Sequence, residues 1–283
     1  MRKGAALLLF TVFLWGTSFI FIEIALEEMP PINLAFQRFA IAVPLLFLMM
    51  RFYGIPIIRG KEWKPLLFLG LTGVTMYHLF QNIGMQYTNA SESSVIIASN
   101  PVFIALFSHL LLGERLTRTK AAGIAIAFSG VVMVVLRDGV ATETPSFLGD
   151  LICLGSIFSW VAYSLYTKKR LLKNSALEIT AYSSLFGMVF LVPLALAAEG
   201  LAVPALPISW FSLVMLGVFS SAVAYLLWNR ALSEIPASEA GSYLFLIPVI
   251  ASSFAFALLG ERLDGLFFVG SALVIFGLLL SNR

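Results

Sequence analysis

Charge is scarce in this chain. Of its 283 residues, 12% are charged and 60% are hydrophobic, whereas a soluble domain carries about a quarter charged residues. No stretch is long and polar enough to form a water-soluble domain, so the surplus apolar surface requires lipid as its solvent. Cysteine is almost missing. The single Cys153 excludes an intramolecular disulfide and argues against a cysteine metal cluster. The only two histidines, His78 and His109, have no carboxylate nearby at metal-binding spacing. HExxH, a phosphate-binding loop and Gly-x-Ser-x-Gly are all absent. Asp150 has no second aspartate inside a span with which to make a proteolytic pair. These absences speak against an enzyme and lead us to expect no metal and no cofactor. The net charge of +3 gives no reason to expect nucleic acid as a partner.

What the chain does have is a duplication. The stretch from Ala90 to Leu116 aligns without a gap to that from Ala237 to Leu263, at an offset of 147 and with 12 identities in 27 positions. Each reads Ala-Ser-Glu, then an apolar run broken once by Pro-Val, then Leu-Leu-Gly-Glu-Arg-Leu. The same offset pairs Gly70 with Gly217, Asn82 with Asn229, Gly123 with Gly270 and Gly130 with Gly277. Self-similarity at a fixed offset marks two copies of one unit, expected at residues 1–138 and 145–283.

A membrane-spanning helix needs about 20 mostly apolar residues. Ten stretches qualify: roughly 4–25, 32–50, 64–84, 91–112, 119–136, 147–167, 177–197, 208–229, 237–259 and 265–280. Lysine and arginine concentrate in cytoplasmic connections. With the N-terminus inside, the inner segments hold 15 basic residues, the outer segments hold Arg137 and Arg262, and Arg38 lies within the second span, which accounts for all 18. This distribution favours a cell-membrane protein with both termini in the cytoplasm. Five spans per unit is an odd number, so the second unit must enter the membrane upside down. The expected fold is an all-α membrane protein of ten transmembrane helices in two inverted five-helix repeats. Such inverted repeats characterise secondary transporters.

The chain resembles the drug/metabolite transporter superfamily, in its EamA branch. The resemblance rests on Trp15-Gly16, Arg38-Phe39, Ala90-Ser91 leading into Pro101, and Gly113-Glu114-Arg115-Leu116. It rests equally on the second copies Ala237-Ser238, Pro248 and Gly260-Glu261-Arg262-Leu263. Trp160 departs from the pattern, being followed by Val161-Ala162 rather than by glycine. The resemblance implies ten helices, a central cavity for a small metabolite and, by analogy with many members, export of amino acids or related compounds.

Several residues stand out against the apolar background. Pro101 and Pro248 fall mid-span, where proline removes a helix hydrogen bond; they read as hinges beside a solute site, with Asn100 at one break, or as packing kinks. Arg38, the one basic residue inside a span, reads as a carboxylate or phosphate contact, as a partner of Glu23, or as a structural cation of the outer leaflet. Polar and aromatic groups gather on the first (Trp15), third (Tyr77, His78, Gln81, Asn82), sixth (Trp160, Tyr163) and eighth (Tyr225) spans, with Tyr243 on the ninth. They suit the wall of a cavity for an amphipathic solute. Tyr166 on the sixth span and Trp228 on the eighth read as interface anchors or as further members of that wall, and His78 as an interior histidine or a proton carrier. Ser91 and Ser238 are expected to cap their helices, with Glu92 and Glu239 in the first turn. The Gly-Glu-Arg-Leu close reads as structural. The small residues of the fifth and tenth spans would brace the bundle or join two protomers.

The expected function is a secondary transporter of small organic metabolites, amino acids first, exporting by alternating access as a monomer or weak homodimer in the bilayer. The alternatives are a proton-coupled multidrug efflux transporter and, from another class, an intramembrane lipid-modifying enzyme.

Overall fold

Long apolar runs with glycine and proline at their ends have one way to satisfy their backbone in lipid, which is to coil. The chain, seen as a computed structural model, does so wherever it is described: residues 3–56, 63–87, 96–135, 147–259 and 265–282. Ala90-Ser91, Glu92, Gly260-Glu261-Arg262-Leu263 and the Asn82 side chain lie outside the described residues.

We number the helical rods in chain order: α1 Lys3–Leu26, α2 Pro31–Phe52, α3 63–87, α4 Asn100–Leu112, α5 Arg118–Val135, α6 Phe147–Arg170, α7 Ala176–Ala198, α8 Pro207–Glu234, α9 237–259 and α10 Gly265–Ser281. No strand occurs among the described residues. Five rods (α1, α2, α7, α8 and α9) are long and apolar enough to cross a membrane. Most ends match the hydropathy limits. The exception is α8, which runs on past Asn229 to Glu234. There Arg230 and Glu234 pair at i,i+4 spacing, and the Lys168 ammonium donates to the terminal carbonyls of Leu232 and Ile235, both at 2.6 Å. A Ser175–Glu178 capping box starts α7.

The halves interlock. Glycines bring α5 and α10 into backbone contact: a Cβ on Gly130 would stand 2.5 Å from the Gly270 carbonyl, and one on Gly270 2.7 Å from the Gly130 carbonyl. The small residues therefore brace one helix of each half against the other within the chain. Gly70 of α3 lies against Ser183 and Gly187 of α7, while Gly217 of α8 lies against Arg38 and Ile41 of α2. Glycines at the repeat offset thus make matching crossings between halves.

At these crossings both helices widen. Leu71–Met76 in α3 and Leu216–Val223 in α8 are π-helical. A π-turn disturbs the regular i→i−4 pattern and often marks a functional site. The two overlap at the offset of 147, since 71 + 147 = 218.

Candidate functional site

The two π-turns face a cluster of rings. α1 contributes Trp15, α2 Phe39, α3 Tyr77 and His78, α6 Trp160 and Tyr163, and α8 Tyr225 and Trp228. Trp160 lies 5.3 Å from Tyr77, 5.2 Å from Tyr163, 5.4 Å from Trp15, 5.5 Å from Tyr225 and 5.7 Å from Trp228, centroid to centroid. Phe39 meets His78 and Tyr225 edge-on. Edge-to-face and offset pairs contribute roughly 0.5–1.5 kcal/mol each beyond area burial. Trp15 and Tyr77 are the two members of the cluster that are only partly buried. Gly73 makes room for it: a Cβ there would overlap the Tyr163 ring.

Hydrogen bonds tie the rings to the backbone of the π-turns. Tyr225 donates its hydroxyl to the Gly73 carbonyl at 3.1 Å. Trp15 donates its indole N–H to the Ser220 carbonyl, also at 3.1 Å. Asn229 donates to the Tyr163 hydroxyl and to Thr180 Oγ1, both at 2.8 Å.

Arg38 adjoins the cluster. It is 6% exposed and donates from Nε to Ser221 Oγ and from Nη2 to Ser220 Oγ, both at 2.7 Å. Tyr77 and Tyr225 are its electrostatic neighbours. Among the described residues no carboxylate reaches it, and Glu23 is not its partner. Of the readings open for Arg38, the pair with Glu23 is not formed; two serine contacts stand in its place, and the guanidinium is buried.

Seven of the sequence-selected residues come together here: Trp15, Arg38, Tyr77, His78, Trp160, Tyr163 and Tyr225. Gln81 sits half-buried one turn beyond Tyr77. Asn100 and Tyr243 stand at breaks elsewhere. A turn at Ser99 precedes α4, putting buried Asn100 and Pro101 in its first turn, and Asn100 Oδ1 lacks a partner. In α9 a 3₁₀ turn, Tyr243–Phe245, separates Ala237–Ser242 from Leu246–Leu259, just ahead of Pro248. Gly16 admits this broken helix: a Cβ there would stand 2.6 Å from Ile250 Cγ2.

Three further residues belong to this arrangement. Of the two readings open for Trp228, the interface anchor is excluded: it is fully buried in the cluster and its Nε1 has no partner among the described residues. Phe39 was visible only as part of Arg38-Phe39. Ser220 carried no signal beyond being a polar residue in an apolar helix.

Carboxylates close both ends of the bundle across the halves. Glu114 accepts from the backbone N–H groups of Ala237 at 2.6 Å and Ser238 at 2.9 Å, and from the Ser238 hydroxyl. Lys120 donates to the same Ser238 Oγ. Ser238 therefore does not cap α9 itself; a first-half carboxylate does so, because it can accept from both free amides at once. At the other end Glu199 accepts from the backbone of Ile32 at 3.1 Å and Asn33 at 2.8 Å. Asn33 Nδ2 also donates to the Gly200 carbonyl at 2.6 Å. Burial works to raise the Glu114 pKa, but the Ser238 hydroxyl, the two amides and Lys120 together hold it below the usual carboxylate value.

A separate apolar groove of about 280 Å³ lies between α3, α4 and α6, lined by Phe68, Phe107, Leu111, Phe158, Leu165 and Lys169 among others. It shares no residue with the ring cluster.

The EamA-like transporter family model matches this chain twice, over residues 2–136 and 147–283. The chain belongs to the EamA-like transporter family. This places it within the drug/metabolite transporter superfamily and makes it a membrane transporter. It is similar to an "Uncharacterized transporter" of Archaeoglobus fulgidus, 36% identical over 99% of this chain and 97% of the other. It is also similar to a "Probable terminal-alkyne amino-acid exporter" of Streptantibioticus cattleyicolor, 30% identical over 100% and 94% of the two chains. A "Probable amino-acid metabolite efflux pump" of Escherichia coli is 29% identical over 99% and 95%. One solved crystal structure superposes with a TM-score of 0.86 at 20% identity, covering 99% of this EamA-like chain and 97% of the other, which bears on the fold alone.

Proposed function

We propose that this EamA-like protein is a secondary transporter that exports small organic metabolites, amino acids first, from the cytoplasm by alternating access. Its units are residues 1–138 and 145–283, five spans each and inverted with respect to one another. Both termini face the cytoplasm of a cell membrane, and the working unit is a monomer or weak homodimer.

The observation that carries this reading is the placement of Arg38 and the rings of Trp15, Tyr77, Trp160 and Tyr225 between two cross-half carboxylate caps. An interior cation beside flat apolar walls suits an amphipathic solute. The caps join one half to the other at opposite ends, as inner and outer gates must. Glu114, Lys120, Lys168 and Ser238 share the end that the positive-inside distribution assigns to the cytoplasm. Pro101 and Pro248 stand at the breaks of α4 and α9 and serve as the hinges. His78, Gln81 and Tyr163 complete the set at the ring cluster, and Asn100 and Tyr243 line the solute pathway at the breaks of α4 and α9. The names of the two amino-acid exporting relatives support the substrate class and the direction.

Purified protein in liposomes should give saturable efflux of at least one amino acid from a labelled panel. Failure to move any of them would overturn the substrate claim. Rates compared with and without a pH gradient separate this reading from a proton-coupled drug efflux pump.

A further inference from the structure

Arg38 is a buried cation with no counter-ion among the described residues. An arginine at the centre of a membrane helix costs at least about 2.5 kcal/mol on insertion scales, and buried charges are ordinarily paired. Here the guanidinium has two hydroxyls and no carboxylate among the described residues. Hydroxyls satisfy hydrogen bonds but leave the charge unbalanced.

Polar capacity is left over in the cluster beside it. Trp228 Nε1 and His78 Nε2 are buried and have no partner among the described residues. Trp15, which packs on Trp228, and Tyr77, which packs on His78, are partly exposed. Both serines that hold Arg38 lie within the π-turn Leu216–Val223 of α8. The Ser220 carbonyl also receives the Trp15 indole, so Arg38, Trp15 and the π-turn form one hydrogen-bonded unit.

We propose that the solute carries a carboxylate that serves as the missing counter-ion of Arg38, and that this carboxylate draws Arg38 away from Ser220 and Ser221. This deepens the transport reading and rests on it. One guanidinium neutralises one negative charge. A phosphate monoester carries about −1.5 to −2 at neutral pH and would need a second cation, which the described residues around Arg38 do not offer. Carboxylate and guanidinium also match as a two-point fork. The two α8 hydroxyls occupy the Nε/Nη2 edge of Arg38, so a carboxylate that takes this edge displaces them and loosens the hold of α2 on the π-turn. Solute recognition is thereby linked to movement of α8.

The test uses the full-length protein in detergent. Thermal shift and tryptophan fluorescence are read against L-phenylalanine, L-leucine, L-threonine and phenylacetate, each beside its amide and the matching decarboxylated amine where one exists. Inorganic phosphate is the competing anion. At least one acid should bind ten times or more tightly than its amide. Arg38→Gln should abolish that preference while still giving a cooperative melting transition, whereas a merely structural arginine would leave the preference of the folded variant for the acid intact. Arg38→Lys should retain part of the preference. The double variant Ser220→Ala/Ser221→Ala should bind the acid severalfold more tightly, since Arg38 no longer has competing partners. Equal binding of acid and amide, phosphate binding in place of acids, no acid-selective response, or a preference that survives Arg38→Gln would each overturn the proposal. Acid-selective binding without flux in liposomes would instead defeat the transport reading and leave the Arg38 site standing.

Discussion

The Tyr225 hydroxyl donates to the Gly73 carbonyl at 3.1 Å, joining α8 of the second half to the π-turn of α3 in the first. Its counterpart runs the other way, from Trp15 of the first half to the Ser220 carbonyl of the second, also at 3.1 Å. Gly73 and Ser220 are related by the repeat offset, 73 + 147 = 220. Each π-turn therefore offers a carbonyl at the same place to an aromatic donor of the opposite half.

Removing one of these bonds should leave the fold intact but weaken the link between halves. Tyr225→Phe deletes the donor and keeps the ring, so stability should fall by about 0.5–1.5 kcal/mol. Trp15→Phe should do the same through Ser220. Transport rates of the single and double variants, treated as a double-mutant cycle, should show coupling between the two sites.

Gly73→Ala should be far more damaging than an ordinary glycine replacement in a helix. The added methyl would overlap the Tyr163 ring, which is fully buried and held by Asn229. Overpacking of this kind costs roughly 1–3 kcal/mol. A melting curve and a transport assay on Gly73→Ala check it. Gly54→Ala is not a matched control, since Gly54 has a φ of 65°.

Glu114 should make one end of the bundle acid-sensitive. Its folded pKa lies below the ordinary value of 4.5, so the charged cap stabilises the protein above that value, and the contribution disappears as pH falls through the lowered pKa. Glu114→Gln should lose about 0.5–2 kcal/mol at pH 7, the usual range for an N-cap. The difference in melting temperature between wild type and Glu114→Gln should be largest near neutrality and shrink in acid below about pH 4.5.

Pro248→Ala restores an amide that can donate to the Leu244 carbonyl across the 3₁₀ turn of α9. A regular helix there should slow transport severalfold and leave solute affinity nearly unchanged. Flux and thermal shift on the same variant separate the two effects; unchanged flux would reduce the proline to a packing kink.

The helices were legible because hydropathy is a strong, long-range signal: a run such as that of α1 has no soluble solution. The offset of 147 pairs Gly70 with Gly217 in the sequence, while the equivalent crossings they make are seen only in the structure. Most of the ring cluster was legible too, since Tyr77, His78, Trp160 and Tyr225 are costly to place against lipid. Trp228 stays ambiguous in the sequence because the apolar run weakens after Asn229; the helix continues to Glu234, and that extra length carries Trp228 into the interior. The Glu114 cap could not be read, because a carboxylate in a connection does not reveal which remote helix start it will meet. Nor do the π-turns announce themselves, since they depend on where one helix rests on its neighbour.

Spin-label distances across the two ends of the bundle test the two-gate arrangement most directly. One pair, at Arg118 and Ser233, spans the end closed by Glu114; the other, at Glu27 and Leu201, spans the end closed by Glu199, and all four side chains are exposed. On adding a transported solute, one distance should lengthen as the other shortens. Two distances that stay fixed, or that lengthen together, would contradict gates that open one at a time.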